Sequence, residues 1–103
     1  MRHGLKEQTI ESICEVFARH PLVEKAMLYG SRAMGNFKPG SDIDLTLFGE
    51  SLNSLELGLI DEELDDLLLP YQIDLSIFHR IENTDLREHI ERVGVVFYRK
   101  FAS

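Results

Sequence analysis

The pair Gly30-Ser31, followed after the ten residues Arg32 to Ser41 by Asp42-Ile43-Asp44, constrains this chain more tightly than any other feature. The apolar run Lys25-Ala26-Met27-Leu28-Tyr29 ends abruptly at Gly30, and the flanking Pro21 and Gly30 favour a strand over a buried helical segment. The intervening ten residues contain Gly35, Pro39 and Gly40, so they read as a short helical turn followed by a loop. On Asp42-Ile43-Asp44-Leu45-Thr46-Leu47-Phe48 the two-residue period of a strand puts Asp42 and Asp44 on one face, and Ile43, Leu45 and Leu47 on the other. The fold must therefore bring a glycine-serine bend and two carboxylates to one end of neighbouring strands.

Such a carboxylate pair is costly. Aspartate is disfavoured in strands, and like charges sharing a site push a pKa upward unless something neutralises them. A divalent cation does so, and hard oxygen ligands suit Mg²⁺, which takes one or two carboxylates and completes its shell with water and substrate phosphate. Gly30 lets backbone approach phosphate oxygens closely, and a helix beginning at Ser31 aims free N–H groups at them. Taken singly, either motif has a simpler reading, because strand-edge aspartates are often just solvated and Gly-Ser is a common turn pair. Together they mark a triphosphate-and-metal site.

The rest of the chain supplies a scaffold. Ile10, Ile13, Cys14 and Phe17 recur at helical spacing, predicting an amphipathic helix over about Leu5 to Arg19 that Pro21 terminates. Asn53-x-x-Glu56 offers a capping-box-like start to a second helix, with Leu57, Ile60, Leu64, Leu67 and Leu68 as its apolar stripe and Pro70 as its stop. Its acidic residues Asp61, Glu62, Asp65 and Asp66 read as a solvated face. A third strand, Gln72 to Phe78, puts Asp74 and Ser76 on one face, and its Asp-Leu-Ser-Ile-Phe echoes Asp-Leu-Thr-Leu-Phe at 44–48. A shorter helix from Asn83 or Thr84 carries Leu86, Ile90 and Val93 and ends at Gly94, before a terminal strand Val95 to Tyr98. Alternating strands and helices in a chain this short predict one domain over residues 1–103, of α/β (α+β) class, with helices packed on a small mixed sheet.

With 103 residues the chain buries one core and has no room for a second substrate-binding domain. Its net charge of −7 argues against a nucleic-acid partner, since phosphate-backbone binders gather lysine and arginine on a face. The locally basic Arg87, Arg92, Arg99 and Lys100 read mainly as surface charges. No run approaches the ~20 apolar residues of a membrane span, so no membrane association and a cytoplasmic location are expected. One cysteine excludes an internal disulfide, and Cys14, on the apolar stripe, reads as a buried thiol. His3, His20, His79 and His89 show no ligand spacing and read as surface or helix-end residues, while Tyr29, Tyr71 and Tyr98 read as packing residues.

Gly-Ser, ten residues, then Asp-x-Asp resembles the signature of the DNA polymerase β-type nucleotidyltransferase superfamily. Across nearly all of its length the chain resembles the minimal nucleotidyltransferases that are paired with HEPN toxins in prokaryotic toxin–antitoxin modules. The resemblance implies a polymerase β-like fold and nucleotidyl transfer from ATP with two Mg²⁺ ions. It makes Asp74 the third carboxylate beside Asp42 and Asp44, and Asp74 a candidate base for the acceptor hydroxyl. Gly30, Ser31 and, less directly, Arg32 become the nucleotide-binding residues, and Lys38 a further candidate. The larger enzymes of the superfamily carry extra domains for base and acceptor. Here the acceptor is expected in trans, in a hetero-complex or homo-oligomer, and the resemblance implies transfer of AMP to a tyrosine of a HEPN ribonuclease toxin. Two readings compete: a non-catalytic antitoxin that masks its toxin by binding, and a transferase acting on a small hydroxylated molecule.

Overall fold

The computed structural model describes residues 1–101, and the last two positions of the expected single domain lie outside them. Nine elements follow in order: α1 (Glu7–Ala18), β1 (Lys25–Tyr29), α2 (Ser31–Met34), β2 (Ile43–Phe48), α3 (Ser54–Asp65), β3 (Ile73–Ile77), a 3₁₀ turn (Phe78–Arg80), α4 (Thr84–Val93) and β4 (Val95–Arg99). The strands form one sheet of order β3-β2-β1-β4. β1 runs antiparallel to both β2 and β4, whereas β2 and β3 run parallel, so the sheet is mixed as expected. Parallel neighbours cannot be joined by a tight hairpin, and α3 is the crossover between them.

Period-two patterning gives the sheet two unlike faces. Ala26, Leu28, Ile43, Leu45 and Leu47 are fully buried in one core with Ile10, Ile13, Val16 and Phe17 of α1 and Ile60 and Leu64 of α3. α4 lies on the other face over β1, with Ile90 buried and the His89 ring edge-on to Tyr29 at 6.2 Å. Tyr29, Asp44, Thr46, Asp74 and Ser76 share this second face, whose end beyond α4 is open to solvent. None of the described helices is long and apolar enough to cross a membrane.

The short echo noted in the sequence is a physical pairing. Asp44 is registered with Asp74, Leu45 with Leu75, Thr46 with Ser76 and Leu47 with Ile77, and Ser76 Oγ donates to Thr46 Oγ1 at 2.9 Å. Identical patterns on adjacent parallel strands put like beside like, so an aspartate in one strand stands next to an aspartate in the other.

Several elements depart from the expected boundaries. Asp42 precedes the β2 ladder, which begins at Ile43. α3 ends at Asp65, well before Pro70, because Leu67 N–H and Leu68 N–H turn back to the carbonyls of Leu64 and Asp65 and tighten the last turn. Leu68 then takes φ +54° and is 88% exposed, so it does not belong to the apolar stripe. Asn53 caps α3 as expected, its Oδ1 accepting from Glu56 N–H at 2.9 Å, but the Glu56 carboxylate turns away to His20 and leaves the reciprocal half of the capping box unmade.

His20 is not a bystander. Its Nδ1 bonds Glu56 Oε1 at 2.6 Å and its Nε2 bonds Glu63, while Arg19 Nε donates to Glu63 at 3.1 Å, so the end of α1 is clamped to α3 by charge. Two of the basic C-terminal residues likewise have structural partners: Arg87 donates to the carbonyls of Phe78 and Ile81 and lies over the Phe78 ring, and Lys100 donates to Pro21 O. Cys14 is half-buried, its Sγ reaches Phe97 O, and burial pushes the thiol up to about 11, which keeps it protonated and unreactive at neutral pH.

Candidate active site

Asp44 sits at the centre of the candidate site, flanked in register by Tyr29 on β1 and Asp74 on β3. Three cross-strand partners share a face, and adjacent strands lie about 4.8 Å apart, so the two carboxylates rise side by side from the sheet. Burial first, then the charges of Asp74 and Asp42, push the Asp44 carboxyl above its ordinary value, with His89 acting in the opposite direction. Burial also raises the Tyr29 phenol; a hydrogen bond with Ser76 opposes this, and the charges of Asp44 and Asp74 reinforce it. A carboxylate pair held under such repulsion is poised to gain from a cation.

Gly30 explains how the bend comes so close to Asp44. It takes φ +74°, a region that side chains rarely adopt, and a Cβ added there would collide with Asp44 Oδ2. Only glycine fits both conditions. α2 starts directly behind it, and because the first bond of this turn is Met34 N–H to Gly30 O, the N–H groups of Ser31, Arg32 and Ala33 have no carbonyl within the turn.

Arg32 departs from its expected role. It is 1% exposed, and its guanidinium is spent on the protein: Nε and one terminal nitrogen donate to Ser41 O at 3.0 and 2.9 Å, the same nitrogen to Pro39 O, and the other to His3 O. Phe37 and Tyr71 flank it, with the guanidinium carbon 5.1 and 4.8 Å from their ring centres. A side chain so enclosed does not reach a phosphate. It ties the N-terminal turn, the 35–41 loop and the approach to β3 together, and its bonds to Ser41 O fix the residue immediately before Asp42. Ser41 Oγ accepts from Lys38 N–H at 2.9 Å, which fixes the loop from within, and the Lys38 side chain is exposed.

The structure thus brings together Gly30, Ser31, Asp44 and Asp74, leaves Asp42 exposed at the entry to β2, and removes Arg32 to the interior. Among the described residues no three His, Cys, Asp or Glu side chains converge closely enough to enclose a metal ion. The donors nonetheless suit Mg²⁺ by chemistry, being carboxylate oxygens only, and Asp44, raised by burial first, also feels the charges of Asp74 and Asp42. Two residues that the sequence assigns to a helix surface and to packing lie beside the site. His89 and Tyr29 border the carboxylates because α4 crosses the sheet there, and no local spacing in the sequence signals that crossing.

Comparison with known proteins agrees with the fold. A toxin–antitoxin crystal structure with AMP-PNP superposes with a TM-score of 0.70 at 21% identity, covering 92% of this chain and 74% of that one. The MntA–HepT toxin–antitoxin gives 0.67 at 17% identity over 91% and 73%. The tri-AMPylated Shewanella oneidensis HEPN toxin in complex with MNT antitoxin gives 0.68 at 16% identity over 92% and 73%. At these identities the likeness is one of fold. No curated protein sequence matches the chain. The family model for the polymerase beta nucleotidyltransferase domain matches residues 11–102, nearly the whole length, and the chain therefore belongs to the polymerase β nucleotidyltransferase family.

Proposed function

We propose that this chain is a Mg²⁺-dependent nucleotidyltransferase that moves AMP from ATP to a hydroxyl of a protein partner, a tyrosine of a cognate HEPN-type toxin, and so acts as the antitoxin of a cytoplasmic toxin–antitoxin pair. The observation that carries the reading is the registered Asp44–Asp74 pair facing the glycine-only bend at Gly30. The solved neighbours support the partner class, since one holds AMP-PNP and another a HEPN toxin that is itself AMPylated.

In this reading the N–H groups of Ser31 to Ala33 and the Ser31 hydroxyl hold the β- and γ-phosphates, with Arg32 acting from behind as a positioning residue. Asp42, Asp44 and Asp74 are the residues that would hold Mg²⁺, which when bound would supply positive charge against the charge developing on the reacting oxygens. Asp74, exposed at the sheet edge, accepts the proton of the acceptor hydroxyl. The acceptor oxygen bonds to the α-phosphorus as the bond to the pyrophosphate oxygen breaks. Phosphate charge added to a ribonuclease surface opposes RNA binding by repulsion.

Incubation with α-labelled ATP, Mg²⁺ and the cognate toxin tests the assignment: label is expected on the toxin and is expected to vanish with Asp44→Asn. A second reading is favoured by one observation, that among the described residues no three acidic side chains converge closely enough to hold a metal ion. It makes the chain an antitoxin that works by masking alone. Full neutralisation of the toxin by Asp44→Asn, with no label in either sample, selects it.

A further inference from the structure

The open edge of β3 has the features of a docking rail. β3 is the last strand of the sheet, with β2 on one side only. Ile43 N–H bonds Gln72 O, and in a parallel ladder this phase turns the backbone groups of Gln72, Asp74 and Ser76 toward β2, and the N–H and C=O of Ile73 and Leu75 outward. Among the described residues these outward groups have no hydrogen-bond partner. Unpaired edges template added strands, and proteins usually blunt them with lysine, proline or a covering element.

Within Ile73–Ile77 this edge carries neither lysine nor proline. A groove of about 380 Å³ runs along it, walled on the other side by Ser54, Leu57, Gly58 and Asp61, which are one face of α3 at helical spacing. A second cleft continues it past Asp65 toward Pro70, sharing Asp61, Gln72 and Ile73. Gly58 lies inside α3, where glycine costs about 1 kcal/mol relative to alanine, yet a Cβ there would meet nothing within 4 Å. Nothing among the described residues accounts for that missing side chain, whereas backbone approaching from outside would. The charged residues lining the groove are Asp61, Asp65 and Asp74, and none is basic. Its upper end opens at Asp74 itself, on the site.

We infer that the β3 edge and the Gly58 face of α3 bind an extended, lysine- or arginine-bearing segment of the acceptor protein, which adds as a fifth strand and so delivers its hydroxyl to Asp74. The inference rests on the nucleotidyl-transfer reading for what is delivered, but not for the docking itself. Strand addition draws affinity from main-chain bonds and specificity from alternate side chains. A residue opposite Asp74 shares the face of Asp44 and Asp74, which places an acceptor tyrosine at the site. Its immediate neighbours fall on the α3 side, one over Gly58 and one beside Asp61, so a basic residue next to the tyrosine is expected.

Two measurements on the full chain with the HEPN-type partner test this. Amide exchange followed by NMR should slow by at least about tenfold at Ile73 and Leu75 on complex formation, while Asp74 and Ser76, already bonded to β2, change little. Gly58→Ala, which favours the helix and adds only a Cβ that meets nothing within 4 Å, should keep MgATP affinity within about twofold; Gly58→Leu, which fills the groove without charge, should lower transfer to the partner by at least about tenfold and is the deciding variant. Unchanged exchange at Ile73 and Leu75, or wild-type transfer by Gly58→Leu, overturns the inference. Equal protection in the chain alone at high concentration also overturns it, assigning the edge to a second copy. Alternating protection without any label transfer leaves the docking intact and removes the enzymatic reading instead.

Discussion

Arg32 carries the clearest residue-scale lesson. A positive charge directly after Gly-Ser looks in sequence like a phosphate ligand, because one dimension records proximity and not burial. In the fold its donors fall on the carbonyls of His3, Pro39 and Ser41, and no polar side-chain atom is left buried without a partner among the described residues. A planar guanidinium satisfies three carbonyls between two rings, which a single ammonium cannot match. Arg32→Lys is therefore expected to lower unfolding free energy by about 2–4 kcal/mol in urea titrations, and to weaken MgATP binding through displacement of Ser41 and Asp42. By contrast Gly30 and Asp44 were legible as residues from spacing and strand period, whereas Asp74 joined them in sequence only through the family resemblance, and the β2–β3 register sets it beside Asp44.

At the scale of elements, local signals worked where the chain itself closes the bond. The Asn53 and Asn83 caps are of this kind, each side chain accepting from the N–H three residues on. Asn53→Ala should cost about 1 kcal/mol in the same titration, without altering nucleotide binding. What sequence could not reveal is the clamp between α1 and α3, because its members are 36 and 43 residues apart. Burial alone would lower the His20 imidazole, but its hydrogen bonds to Glu56 and Glu63 outweigh burial and raise it above 6.5. The Glu63 carboxyl is lowered below 4.5 by its hydrogen bond to His20, with burial opposing and Arg19 assisting. The two signs define a window. The His20 contribution is complete below pH 6.5 and is lost as pH rises through the raised folded value; the Glu63 contribution is complete above pH 4.5 and is lost as pH falls through the lowered one. The stability difference between wild type and His20→Gln should thus be largest between these limits and shrink on both sides, as read from urea midpoints across pH.

At the scale of the whole molecule, the sheet order sets stability against function. The apolar halves of β1 and β2 bury a core that sequence patterning announces, while their polar halves, with β3, gather Asp44 and Asp74 on the second face. The four-strand order itself, and the crossing of α4 that brings His89 near, depend on long-range packing and were not readable from spacing. Because folding raises the Asp44 carboxyl, through burial first and then Asp74 and Asp42, ionised Asp44 opposes the folded state at neutral pH. The sign follows directly: with a folded value above the ordinary 3.8, Asp44 favours the fold most when protonated, and that contribution is lost as pH rises. Asp44→Asn should then raise the thermal midpoint in chelator at pH 7 by about 2–4 °C, a small figure because the carboxylate is still partly solvated. Mg²⁺ with a non-hydrolysable ATP analogue should raise the wild-type midpoint and leave Asp44→Asn nearly unmoved, since a ligand stabilises only the state that binds it. A wild type indifferent to the cation, or a mutant that gains equally from it, would separate the acidic pair from any role in holding metal and nucleotide. The expected crossover, with the mutant more stable in chelator and the wild type more stable in Mg²⁺, is what a site that trades folding energy for ligand affinity should display.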